Sequence, residues 1–216
     1  MKSPSYFKNI AFTLALLTLS TFSPAADEAY TGKPYLVQPQ EVPGIIQAKS
    51  YDVAPGNRNG IAYNRHGEPK PGAARTTGDC IGLGAMGDDH VSTTGEKQKV
   101  GNIYVGWTDV GDWWKYTVNV KEAGTYIFGG HFAAGAKGAK ISMTFTPIDP
   151  AGAPLTTGTV EIPTTAGYQP TVEVYHVWEL LDKLAEIKLQ PGLWVMTVKV
   201  EAVAGLNIDY YTLAKK

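Results

Sequence analysis

The segment WWKYTVNV, residues 113–120, constrains the fold more than any other part of this sequence. Trp114, Tyr116, Val118 and Val120 alternate with Trp113, Lys115, Thr117 and Asn119. Side chains of a β-strand point to opposite faces with a period of two, so the first set has core character and the second faces away. The same alternation returns in LWVMTVKVEA, where Trp194, Met196, Val198 and Val200 point inward and Thr197, Lys199 and Glu201 outward. Two such strands, each apolar on one face, need a second layer to cover them.

The rest of the chain supplies it. IIQAKSYDV (residues 45–53), GIAYN (60–64), TYIFGGHFA (125–133), KISMTFTPID, GTVEIP, PTVEVYHV (170–177) and GLNIDYYTL (205–213) read as further strands. Turn signals separate them, drawn from 24 Gly and 14 Pro. This predicts an all-β protein, a β-sandwich of jelly-roll type with at most one short helical insertion. The insertion is WELLDKLAEI, residues 178–187, where Val177, Leu180, Leu181 and Leu184 fall at helical spacing. Residues 65–101, rich in Gly, Thr, Pro and charge, read as a long loop of the kind that often carries function.

Lys2 and Lys8, the apolar run IAFTLALLTLSTF and the small residues SPAA form the order of a secretory signal. The expected division is a signal peptide at 1–25, an extended Pro-rich segment at 26–43 and a sandwich at 44–216. The expected location is secreted, either extracellular or periplasmic. The chain holds 19 basic and 20 acidic residues, and setting aside Lys2 and Lys8 leaves 17 against 20. That balance attracts neither nucleic acid nor an anionic membrane. No later stretch is long enough to span a bilayer. The lone Cys80 cannot form an intramolecular disulfide.

Catalytic and metal patterns are weak. GDDH, residues 87–90, has donor types that suit a divalent ion, but adjacent loop residues rarely converge on one ion, and a solvated turn is the simpler reading. His66, His131 and His176 are far apart in sequence and match no HExxH pattern. Asp109 and Asp112 are close enough in sequence to act as a carboxylate pair, yet Asp in such a turn ordinarily bonds the backbone. No nucleophile elbow, P-loop or dinucleotide fingerprint is present. Neither a cofactor nor a metal is expected.

Aromatic residues in polar loops are the stronger signal. Sugar rings stack on aromatic faces while their hydroxyls need paired donors and acceptors. Tyr63 lies beside Asn59 and Asn64, and Tyr168 lies between Gly167 and Gln169. Each ring could equally cap the edge of the sandwich.

These stretches, taken together, resemble the family 6 carbohydrate-binding modules. The resemblance runs over about residues 30–213. It opens with AYTGKPY and VPGIIQAKSYD and passes through GIAY. Its most specific piece is YVGWTDVGDWWKYTVNVKEAGTY, and it closes with IPTTAGYQ, KLQPG and LNIDYYTL. It implies a β-sandwich that binds polysaccharide without cleaving it. One sugar ring would be held between Tyr63 and Tyr168 and oriented by Asn207, with Asn59 near the first aromatic. Trp107 would support the loop end, and Trp113 could line a second cleft on the sheet face.

Two positions depart from the family. The second ring is Tyr168 where Trp is usual. Lys49 stands where an acid helps hold a structural calcium, and a cation there repels the ion. The expectation is that Lys49 pairs with Asp209 in its place. The ligand classes compatible with the family are xylan, β-glucan and agar-type galactan. The sandwich would act alone or with an enzyme partner supplied in trans. Two alternatives remain: a glycoside-active enzyme on the same scaffold, needing Asp88, Asp89, Asp109 or Asp112 to converge, or a surface or assembly protein that has lost the sugar site, recognised by Tyr63 and Tyr168 pointing inward.

Overall fold

The computed structural model describes residues 29–57, 59–66, 81–148, 152–165, 173–203 and 205–216. The expected signal peptide, Cys80 and Tyr168 lie outside them. None of the described helices is long and apolar enough to cross a membrane.

The described residues form a β-sandwich. Its strands are β1 (Gln40–Val42), β2 (Gly44–Gln47), β3 (Tyr63–Asn64), β4 (Leu83–Ala85), β5 (Val91–Ser92), β6 (Ile103–Val105) and β7 (Trp113–Val120). They continue with β8 (Gly124–Ala134), β9 (Ala139–Pro147), β10 (Leu155–Ile162), β11 (Val177–Leu189), β12 (Gly192–Ala202) and β13 (Leu206–Lys215). One sheet runs β1-β7-β12-β9-β10, with β3 also paired to β7. The other runs β4-β6-β13-β8-β11-β5, with β2 also paired to β13.

The alternation read from the sequence places the core. Trp114, Tyr116, Val118 and Val120 of β7 and Trp194, Met196, Val198 and Val200 of β12 are buried between the sheets. Tyr126, Phe128, Phe132, Ile208, Tyr211 and Leu213 meet them from the second sheet. Polar ends of the buried rings are satisfied: Trp114 Nε1 donates to Tyr211 Oη at 3.1 Å, and Tyr116 Oη donates to the Ala48 carbonyl at 2.8 Å.

Three expectations are corrected. Residues 178–187 are not helical; they belong to β11, which pairs antiparallel with β8. The pairing slips between Leu181 and Ala185, so the period of two is interrupted there. An interrupted alternation imitated helical spacing. The first strand ends at Gln47, and Lys49 sits on a 3-10 turn, Ala48–Ser50. The supposed long loop holds β4 and β5, short strands paired to the second sheet.

The polar face of β7 is covered by the N-terminal segment, and Asp52 fastens it. Its buried carboxylate accepts from Thr117 N at 2.9 Å, Thr117 Oγ1 at 2.6 Å and Tyr30 Oη at 2.9 Å, while its own amide donates to the Lys115 carbonyl at 2.8 Å. Removing that acceptor strands several buried donors. Asp52→Ala is expected to cost about 2–4 kcal/mol in equilibrium urea unfolding. A loss under about 0.5 kcal/mol, the range of an ordinary surface substitution, would show that the carboxylate does not hold the segment.

Candidate functional site

The second sheet has two buried faces. Its inner face meets the core. Its outer face carries a smaller cluster of Met86, Tyr104, Ala133 and Trp178. The chain between β4 and β6, residues 86–102, crosses this face from one edge of the sheet to the other and back, with β5 at the far edge. Tyr104 lies flat on glycine: a Cβ on Gly84 or Gly106 would come within 2.4 Å or 2.8 Å of its ring. Burial raises the Tyr104 pKa, with Asp89 and Glu173 adding to the effect, so it stays a phenol.

A bulge in β13 shapes this face. Ile208 pairs with Phe132 and Tyr210 with His131, which leaves Asp209 as an extra residue. Such a bulge turns two consecutive side chains toward one partner. Asp209 Oδ2 lies 3.0 Å from His131 Nδ1, and the Tyr210 ring stacks on His131 at 5.3 Å. Asn102 Nδ2 donates to Asp209 Oδ1 at 2.8 Å.

A cleft of about 640 Å³ opens where the β6–β7 loop, the turn before β11 and the start of β13 meet. Trp107 is its most exposed ring, at 46 %. It stands at φ +50°, a left-handed conformation that costs a non-glycine residue of order 1–2 kcal/mol. Such strain in a cleft marks a candidate functional position. Trp107 stacks on Tyr104 with centroids 6.3 Å apart and planes 18° apart. Tyr175 lines the other side, seated where a Cβ on Gly135 or Gly205 would lie 2.4 Å or 2.8 Å from its ring. Asn207 lines the cleft and donates through Nδ2 to the Tyr175 carbonyl at 2.8 Å. Its Oδ1 remains an acceptor. Asp109, Glu173 and His176 supply the charged and titratable lining.

The residues singled out in the sequence are thus divided. Asn207 reaches the cleft. Tyr63 does not: it is 3 % exposed, paired to Trp114 and packed edge-on against Tyr51 at 6.0 Å. The expectation of Tyr63 as an open clamp ring is corrected, because β3 turns it into the core. Asn59 closes its own loop, accepting from Arg65 N at 2.8 Å. Trp113 is half-buried, and Lys115 Nζ lies 4.9 Å from both its ring and that of Tyr30, so the cation stacks on the ring proposed for a second cleft. Burial lowers the Lys115 pKa, and Asp52 opposes the shift.

Asp209 is held by His131 and Asn102, which corrects the expected pairing with Lys49. Both oxygens of Asp209 face nitrogen groups. The acids do not form a hydrolytic pair. Asp112 is buried and accepts from His66 N at 2.5 Å and Asp109 N at 2.9 Å, which is a turn clamp.

The sequence understated Trp107, whose signal was an aromatic directly after Gly106 at the end of a strand. It also missed Tyr175, whose place depends on long-range pairing.

No family model matches the sequence, and no curated protein matches it. Solved structures do match, and family 6 carbohydrate-binding modules are prominent among them. A β-1,3-glucan-binding module of that family from Bacillus halodurans is 19% identical, with 82% of this chain and 99% of that chain covered and a TM-score of 0.49. A module from Clostridium cellulolyticum, in complex with xylose, is 15% identical, with 82% and 100% covered and a TM-score of 0.48. A family 43 arabinoxylan arabinofuranohydrolase from Bacillus subtilis, in complex with cellotetraose, is 15% identical with a TM-score of 0.51. That match covers 83% of this chain and 28% of the enzyme. The likeness is one of fold.

The exposure of Trp107 can be read directly. Trp114, Trp178 and Trp194 are buried and Trp113 is half-buried beneath the Lys115 cation, so the larger part of iodide-quenchable emission should come from Trp107. Trp107→Phe is expected to remove the larger part of that quenching. Unchanged quenching would place the ring inside the protein.

Proposed function

We propose that this is a secreted, non-catalytic carbohydrate-binding protein, and that its cleft holds a sugar ring against Trp107. The observation that carries the reading is a strained, exposed tryptophan beside the buried amide of Asn207 in one cleft. Stacking supplies affinity through the apolar face of the ring. The Oδ1 atom of Asn207 and the carboxylates of Asp109 and Glu173 accept hydroxyl protons. Tyr175 closes the opposite wall. The resemblance of LNIDYYTL to the family's closing strand supports the role of Asn207. The ring partner has moved from Tyr63 to the β6–β7 loop. Uncharged polysaccharides such as xylan or β-glucan suit this lining better than polyanions, because its fixed charges are carboxylates.

The burial of Tyr63 favours a second reading, a surface or assembly protein that keeps the fold without the sugar site. Affinity electrophoresis through gels containing xylan, laminarin, mixed β-glucan or agarose separates the two. Retardation by one polymer is expected. Trp107→Ala should weaken it about tenfold, the effect of losing about 1.4 kcal/mol of stacking. Tyr175→Ala should weaken it less. Free migration of the unaltered protein through every gel would favour the assembly reading. Retardation that survives Trp107→Ala but not Tyr168→Ala would return the site to the loop read from the sequence.

A further inference from the structure

A second constellation stands at the rim of the cleft and does not depend on the sugar reading. β5 and β11 pair in parallel, with Val91 opposite Val177 and Ser92 opposite Trp178. The residues just ahead of those strands, His90 and His176, are thereby set side by side. Their rings stack with centroids 3.9 Å apart and planes 20° apart. Asp89 bridges them, with Oδ1 3.1 Å from His90 Nδ1 and Oδ2 2.5 Å from His176 Nδ1. Glu173 Oε2 lies 3.6 Å from His176 Nε2.

From this geometry we propose that Asp89, His90 and His176 form a binding site for a divalent transition-metal ion of the zinc class. One donor atom from each lies within 4.8 Å of the others. Tetrahedral zinc with nitrogen and oxygen ligands at about 2.0–2.2 Å needs donors about 3.5 Å apart, so binding draws the donors together and turns the stacked rings until both lone pairs meet the ion. Two imidazoles and a carboxylate favour zinc, copper or nickel over calcium or magnesium, which prefer oxygen alone. Glu173 is placed to join as a fourth ligand.

His90 supplies the independent observation. It is 3 % exposed, and its Nε2 has no hydrogen-bond partner among the described residues. Buried polar atoms rarely go unpartnered in a folded protein. Its Nδ1 is contested as well. The Gly87 amide donates to it at 3.0 Å, while the Asp89 carboxylate approaches to 3.1 Å. A bare nitrogen suits the amide and opposes the carboxylate, and a protonated one does the reverse. A cation on Nδ1 would take its lone pair and the charge of Asp89, which removes the repulsion between those two groups, while Nε2 keeps the ring proton.

The test is titration of the metal-free full chain with cobalt(II) chloride and then zinc chloride, without sugar. One equivalent of cobalt is expected to give visible d–d absorption, and one equivalent of zinc to bleach it. Zinc should also raise the unfolding temperature. Asp89, with 59 % of its side chain exposed, and the turn residue His176 can be changed with little risk to the core. His176→Ala and Asp89→Ala should each weaken zinc binding at least tenfold. Near-UV circular dichroism confirms that both variants keep the fold. No cobalt spectrum and no zinc heat up to about millimolar metal, a ceiling well above structural-zinc affinities, would overturn the proposal. Binding that survives in both variants would overturn it equally, by placing the metal elsewhere. Because the readout uses no polysaccharide, this outcome is independent of whether the cleft takes sugar.

Discussion

The contact between Asp209 and His131 organises the outer half of this protein, and a single extra residue in β13 creates it. Without the bulge, strict alternation would send Tyr210 to the face opposite Asp209. With it, both side chains stand over His131, and Tyr211 returns to the core. The buried carboxylate gains an imidazole and an amide as partners. One of those partners, Asn102, comes from the segment that folds over the sheet. A charge buried on a sheet face is tolerable only when it is paired and hydrogen-bonded, so Asp209 and its cover depend on each other. The neighbouring Trp178 ring, 5.1 Å from His131, extends the same layer to β11.

That layer explains where the cleft lies. A plain sandwich exposes the outer faces of its sheets. Here residues 86–102 cover one of them, and the β6–β7 loop stands at the border of that cover. Trp107 stands at this boundary, with Tyr104 beneath the cover and solvent beyond. The turn before β11 forms the facing wall because β11 has to run beside both β8 and β5. The same constraint brings His176 to His90. Cleft and histidine cluster are two results of one strand pairing.

The sandwich was legible in the sequence because its signal is local. Trp114, Tyr116, Trp194 and Met196 alternate over a few residues, and burial follows from parity alone. Asn207 was legible through its place in LNIDYYTL. Other features were not local. The interrupted register between Leu181 and Ala185 turned a strand into apparent helical spacing. Tyr63 sits among polar residues and looked like a loop ring, yet its two-residue strand pairs with Trp114 and drives it inward. The union of residues 89 and 90 with residue 176 has no trace in spacing, since the pairing that makes it spans 86 positions of sequence. Lys49 looked like a substitute ion because charge was compared position by position, whereas the bulge had already given Asp209 a histidine.

The strained backbone of Trp107 finally requires something to hold it, since left-handed tryptophan reverts when its neighbours are free. The restraint comes from both sides. Gly106 N donates to the Gly82 carbonyl at 2.9 Å, tying the residue before Trp107 to the start of β4. Thr108 Oγ1 donates to the Leu206 carbonyl and accepts from Leu206 N, each at 3.0 Å, and the Thr108 carbonyl accepts from Gly205 N at 2.8 Å. The residues on either side of Trp107 are therefore locked to different parts of the structure, which restrains the backbone between them. Gly106 must be glycine for the same reason: a Cβ there would meet Asn207 Oδ1 at 2.7 Å and the Tyr104 ring at 2.8 Å. The residue that lets the chain pass so close to Asn207 also sets Trp107 at the cleft mouth, so the ring and the amide of the proposed sugar site are positioned by one turn.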